Sequence, residues 1–190
     1  LFTSILLFAY SISYLNYQRI ASTNNLVTKY LEEIDSSIDF LQCNSTALLK
    51  PSEMLDAVGS KINLLELRFG KNDPRVIEQK SLYNYLEFKH FGLVKSLNSE
   101  CNDSMMIVLF FYSNDEDVQK ESERMGFILG TFKEKYSSKV MIYSFDNNLD
   151  YKIINNLKAQ YNITSVPIVL VDEKDMFYLR NIDELEKYIR

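Results

Sequence analysis

The sequence predicts an α/β fold for its C-terminal half, preceded by an all-helical region and an apolar N-terminal segment. Three observations carry this. Met105-Met106-Ile107-Val108-Leu109-Phe110-Phe111-Tyr112 is an unbroken apolar run, the pattern of a strand buried on both faces. After it, short apolar runs alternate with helix-period stretches in the order β-α-β-α-β-β-α. Before it, apolar residues recur at three- and four-residue steps and no strand pattern occurs.

The elements follow in order. Leu1 to Leu15 reads LFTSILLFAYSISYL, with no charge before Arg19. A bilayer core of roughly 30 Å needs about 20 apolar residues in a helix. The run is slightly short, but numbering starts at Leu without an initiator Met, so further residues are expected upstream. Tyr10, Tyr14 and Tyr17 fall where an interfacial aromatic belt would sit. A signal-peptide core competes with this interpretation, but no clear cleavage site follows. Residues 1–17 are therefore expected to be an uncleaved transmembrane anchor embedded in the lipid bilayer.

Residues 18–102 read as a helical region. Val27, Tyr30, Leu31, Ile34, Ile38 and Leu41 make one apolar stripe. A second helix is expected from about Ser52 to Phe69, with Pro51 near its start and Gly70 as its stop. The third begins at Asp73-Pro74, a natural cap and first-turn pair, and runs to about Leu97. Leu64, Leu65, Leu67 and Phe69 are expected to face Val76, Leu82, Tyr85, Leu86 and Leu93 across the turn. His90, on the long helix, is expected at the surface or in a groove.

In residues 103–190 a helix is expected from about Val118 to Tyr136, with Met125, Ile128, Leu129 and Phe132 turned inward. Val140 to Phe145 is the second strand and Tyr151 to Tyr161 the next helix. Ile168 to Val171 and Met176 to Leu179 form a hairpin, and Asp183 to Ile189 closes the chain as a helix.

Composition excludes more functions than it suggests. The 190 residues hold one His, two Cys and a net charge of -5. Without a basic face, nucleic-acid binding is not expected. The single His90 and the spacing of Cys43 and Cys101 match no zinc motif, and no metal or cofactor is expected. Asp146-Asn147-Asn148-Leu149-Asp150 opens like a calcium loop but lacks the Gly at its sixth position and the closing Glu. Asp115-Glu116-Asp117 is expected to cap the helix that follows it.

Cys43 and Cys101 are lone cysteines, and in an exported domain they suggest a disulfide. A bridge closing the helical region would stabilise by roughly 4 kcal/mol in the chain-entropy model. Two separate thiols, or a redox-active pair, are the alternatives. The extracytoplasmic orientation rests on this pair. Asn44, Asn102 and Asn162 stand in N-x-[ST] sequons, which are possible glycosylation sites and of which chance alone supplies about two.

The element order, together with Tyr161-Asn162-Ile163-Thr164-Ser165-Val166-Pro167 before an apolar strand, resembles the thioredoxin family over Met105 to Arg190. The resemblance implies a cis peptide at Val166–Pro167 facing the active site, against the alternative of an ordinary trans proline opening a strand. Family members place C-x-x-C at the start of the helix after the first strand. Here that stretch is Ser113 to Ser122, and Gln119 and Ser122 fall at the cysteine positions, with Ser113 an alternative. Neither Gln nor an unassisted Ser replaces thiol–disulfide chemistry, so catalysis of that kind is not expected at this site. The loop before the proline offers backbone groups to an extended peptide.

The whole layout resembles membrane-anchored extracytoplasmic proteins of archaea. The expected role is a non-catalytic binding or accessory subunit of a membrane or surface protein complex, with protein partners. The alternatives are a divergent oxidoreductase using Cys43 and Cys101, and a structural surface glycoprotein.

Overall fold

The computed structural model describes residues 2–38, 48–100 and 105–189. Three long helices come first: α1 (Phe2–Ile38), α2 (Leu49–Phe69) and α3 (Pro74–Glu100). Then follow β1 (Met106–Tyr112), α4 (Gln119–Lys135), β2 (Val140–Asp146), α5 (Lys152–Gln160), β3 (Ile168–Val171), β4 (Asp175–Phe177) and α6 (Asp183–Glu186). The result is a mixed α/β architecture in which the four strands are ordered β2-β1-β3-β4.

Strand β1 sits in the middle because nothing in it tolerates water. It pairs parallel with β2, from Met106↔Val140 to Tyr112↔Asp146, and antiparallel with β3, from Val108↔Val171 to Phe111↔Ile168. Its alternate side chains supply two cores. Ile107, Leu109 and Phe111 join Tyr143 and Phe145, Ile154 and Leu157 of α5, and residues of α1, α2 and α3. Met106, Val108 and Phe110 join Met125, Leu129 and Phe132 of α4 and Leu185 of α6. The β3–β4 hairpin turns through Asp172 and Glu173, both at left-handed φ (49° and 57°), as a tight hairpin turn requires.

Helix α3 does more than bury an apolar stripe. Its buried residues include Lys80, Asn84, Glu87 and His90, spaced along one face. This face lies along β2, one of the two edge strands, whose unpaired backbone groups would otherwise be open. Glu87 Oε1 accepts a hydrogen bond from Ser144 N (2.8 Å). His90 Nδ1 pairs with Tyr143 Oη at 2.8 Å, and Lys80 Nζ pairs with Asp146. Phe91 adds an edge-to-face contact with Tyr143, with ring centroids 5.7 Å apart. The helical region is thus fastened to the sheet by a polar seam inside an apolar core.

Helices α1 and α2 run antiparallel, as Lys61–Ser22 and Lys50–Glu33 show. Extending that register, α1 overshoots the end of α2 by roughly a dozen residues, about 18 Å at 1.5 Å per residue. Thr3 to Leu15 are exposed throughout, Ile5, Leu7, Phe8 and Tyr10 among them. Among the described residues, no helix is long and apolar enough to cross a membrane.

Several expectations are corrected. Leu64 and Leu67 do not face α3; they are 65% and 86% exposed. The inward face of α2 is set instead by Leu55, Val58, Ile62 and Leu65, whose spacing keeps them on one side of a 3.6-residue helix. His90 is fully buried rather than superficial, because β2 offers it Tyr143 Oη and α2 offers it Ser52 Oγ at 3.1 Å. Asp115-Glu116-Asp117 does not cap α4 through side chains; the Asp115 backbone carbonyl accepts from Val118 N and Gln119 N instead. The Asp73 cap is present, with Arg75 N donating to Asp73 Oδ1 (2.9 Å).

The seam makes stability depend on pH in two opposite directions. Burial holds the His90 imidazole down at about 4, with the Lys133 charge adding a smaller push. Its folded pKa lies below its unfolded one, so its contribution is present above about 6.5 and lost as pH falls towards 4, by about 3 kcal/mol. Burial pushes the Glu87 carboxyl well above its ordinary range, helped by Asp56 and opposed by Ser144 N and Lys133. Its contribution is full below the ordinary carboxylate pKa and lost as pH rises. Glu87→Gln keeps an acceptor on Ser144 N and should flatten the alkaline limb of stability against pH, leaving acid stability unchanged. Glu87→Leu, which orphans that N–H, should cost about 1–3 kcal/mol. Urea denaturation across pH reads both outcomes.

Candidate functional site

The chain leaves β1 at Tyr112 and enters α4 at Gln119, and the connecting segment is knitted by side chains. Ser113 N donates to Ser122 Oγ (3.2 Å), Ser113 Oγ to Asn148 Oδ1 (2.9 Å) and Asn114 N to the same Asn148 Oδ1 (2.8 Å). Asp115 N donates to Ser113 Oγ (3.0 Å), while Asn148 Nδ2 donates to Asp115 Oδ1 (2.7 Å). Asn114 Nδ2 and Asn148 N both donate to Asp146, at 2.8 and 3.0 Å. Asn148 is the hub of this loop, joining the ends of two parallel strands. The Asp146–Asp150 stretch serves as a hydrogen-bonding bracket, and no group able to hold a metal is found among the described residues.

On the other side of β1 the Val166–Pro167 peptide is cis. Ile168, the next residue, pairs with Phe111, which sets Pro167 beside the exit from β1. Gln119 lies on the first turn of α4 and donates from Nε2 to Glu123 Oε1 (2.8 Å). Ser122 is buried with its Oγ occupied by Ser113 N. Neither position carries sulfur.

The His90 imidazole is elsewhere, between Ser52 and Tyr143. A phenol stands where a carboxylate would stabilise an imidazolium. Burial holds the Tyr143 hydroxyl well above its ordinary range, with Tyr30, Glu87 and Asp56 adding to that. A His held near 4 beside a neutral phenol is a poor base at neutral pH. The Ser52–His90–Tyr143 chain ties α2, α3 and β2 together by hydrogen bonds.

Between α2, α3 and α4, over the edge of the sheet, lies a cavity of about 390 Å³ lined in part by Glu66, Lys80, Asn84, Tyr112, Asn114 and Ser122. Lys80 is only 3% exposed and sits between Asp146 and Glu66, the latter at 3.1 Å. Asn84 Nδ2 donates to Lys80 O (3.0 Å), and its buried Oδ1 has no partner among the described residues. Gly59 leaves room here for Tyr83, whose Oη would lie 2.8 Å from a Cβ at that position and would have to shift. Burial pushes the Tyr83 and Tyr112 hydroxyls well above 10, with neighbouring carboxylates adding to it.

Gln119, Ser122, Ser113 and Pro167 therefore gather at one end of β1. Cys43, Cys101, Asn44 and Asn102 lie outside the described residues. Asn162 is exposed at the end of α5, with φ of 53°, a left-handed position that Asn tolerates. Lys80, Asn84 and Glu87 belong to no sequence motif, and Asp146 and Asn148 enter only through the rejected calcium-loop pattern. The available signal was the polar residues interrupting the apolar rhythm of α3.

Removing Lys80 would strand two carboxylates in a closed site. Lys80→Met should destabilise by about 3–5 kcal/mol, and pairing it with Asp146→Asn should recover part of that loss. Chemical denaturation of the two variants checks this.

The sequence matches no protein-family model. No curated protein matches it significantly.

Proposed function

We propose that residues 103–190 form a thioredoxin-like module without redox chemistry. The module is held outside the cytoplasm at a membrane by the apolar half of α1, and the chain acts as a binding or accessory subunit of a membrane or surface protein complex. The observation that carries this reading is the head of α4. It stands beside a cis proline, at the end of a central strand with a parallel neighbour on one side and an antiparallel one on the other, and has Gln119 and Ser122 where exchange chemistry needs thiols. A Ser whose oxygen is already an acceptor and a Gln have no route to a mixed disulfide. What is left at that end of the sheet is the backbone leading into Val166–Pro167, facing a Ser113–Asp115 segment whose own N–H groups are already taken by Ser122, Asn148 and Ser113 side chains. Backbone groups at such a position suit an extended peptide.

The exposed apolar residues of α1 support the membrane part. Ile5, Leu6, Leu7 and Phe8 cover more than one side of the helix, and each is more than half exposed. Exposed apolar residues on more than one side of a helix suit a lipid setting better than water.

Insulin-disulfide reduction by the full chain should stay at the uncatalysed rate, with or without Cys43→Ser and Cys101→Ser. Turnover that vanishes in the double variant would instead favour the oxidoreductase alternative. Installing the pair, Gln119→Cys with Ser122→Cys, should create a dithiol that cycles with glutathione, because the α4 N-terminus lowers the first thiol's pKa. Failure of that pair to oxidise would count against the thioredoxin-like assignment of this helix.

A further inference from the structure

We infer that the groove between α1 and α2 is a binding site for the phosphate of an anionic lipid headgroup, an inference that rests on the membrane placement of α1. The groove has a volume of about 370 Å³ and is lined by Arg19, Ser22 and Thr23 of α1 and by Lys61, Leu64 and Arg68 of α2, among others. No Lys/Arg cluster is visible in sequence, because Arg19 is more than forty positions from Lys61. The antiparallel pairing of the helices gathers them. Arg19 and Ser22 lie one turn apart on α1, and Lys61, Leu64 and Arg68 recur at i, i+3 and i+7 on the facing side of α2.

Charge decides the ligand class. The chain is acidic overall, at -5, yet this groove collects three cations. The ion pairs of the described residues use other cations. Lys61 Nζ is positioned by donating to Ser22 Oγ (2.8 Å), and the Arg68 guanidinium lies 5.7 Å from the Phe69 ring centroid. Two arginines and a lysine lining one groove suit a phosphate, which can accept from guanidinium and ammonium groups alike.

Position decides the source of that phosphate. In the α1–α2 register Arg68 is level with Leu15 and Leu67 with Asn16, so the groove opens where the free apolar part of α1 begins. Tyr14 and Tyr17 mark the same level. Leu64 and Leu67, at 65% and 86% exposed, stand on the rim of the basic groove. Exposed leucines beside cations at the base of an apolar helix fit the boundary between headgroups and acyl chains.

The test is vesicle flotation of the full chain with two compositions, phosphatidylcholine alone and phosphatidylcholine with about one-third phosphatidylglycerol. The wild type should partition into the anionic vesicles roughly tenfold to a hundredfold more strongly, and the preference should fall with salt. Arg19→Gln, Lys61→Gln and Arg68→Gln together should abolish the preference while leaving binding to neutral vesicles unchanged. A control with the same change in charge, Lys120→Gln, Lys152→Gln and Lys158→Gln, should keep it. Equal partition into both vesicle types would overturn the headgroup site and leave the membrane placement standing. Loss of the preference in the control would reduce it to net charge, and reversal by inorganic phosphate at vesicle-saturating levels would assign the groove to free phosphate. Partition into neither vesicle would overturn both the site and the membrane placement.

Discussion

The structure depends on how the β2 edge of its sheet is closed. β2 has β1 on one side and nothing from the sheet on the other, and an open row of backbone groups invites pairing with another chain. Helix α3 closes this edge with side chains, Glu87 taking the Ser144 N–H and Lys80 and His90 gripping Asp146 and Tyr143. Each of these groups would be expensive to bury alone, and together they satisfy much of one another's demand. The seam also fixes the register between the helical region and the sheet, since a shift of one helical turn would leave Lys80 and Glu87 buried without partners.

That arrangement explains what the sequence disclosed and what it hid. The strand and helix order after residue 105 was legible because Met106 to Phe111 is uniformly apolar and because the amphipathic rhythm of α4 and α5 is regular. The faces of the helical region were legible only in part. Leu64 and Leu67 look like core residues by type, and only the period set by Leu55, Val58, Ile62 and Leu65 shows that they point away. His90 and Glu87 look like surface residues by type, and their burial depends on a strand that lies more than fifty positions later. A polar residue's partner across such a distance leaves no local signature.

The same limit applied to the candidate site. Gln119, Ser122 and Pro167 could be located because they sit at fixed places in a recurrent order of elements. The hub role of Asn148 could not, because an Asn in a polar loop carries no sign of the strand ends it will join. The groove cations were equally silent: each is an ordinary isolated base in sequence, and only the antiparallel packing of α1 and α2 makes them neighbours.

Helix α1 has no proline and no glycine from Phe2 to Ile38, and so contains neither of the residues at which helices commonly bend. Its free tip and the stretch bearing Tyr30 and Ile34, which are locked in the core, belong to one stiff rod. Whatever surface grips the tip therefore dictates the tilt of the entire body. With the tip so gripped, the end of the sheet that bears Pro167 would be carried at a set height and heading, as an instrument is on a mast.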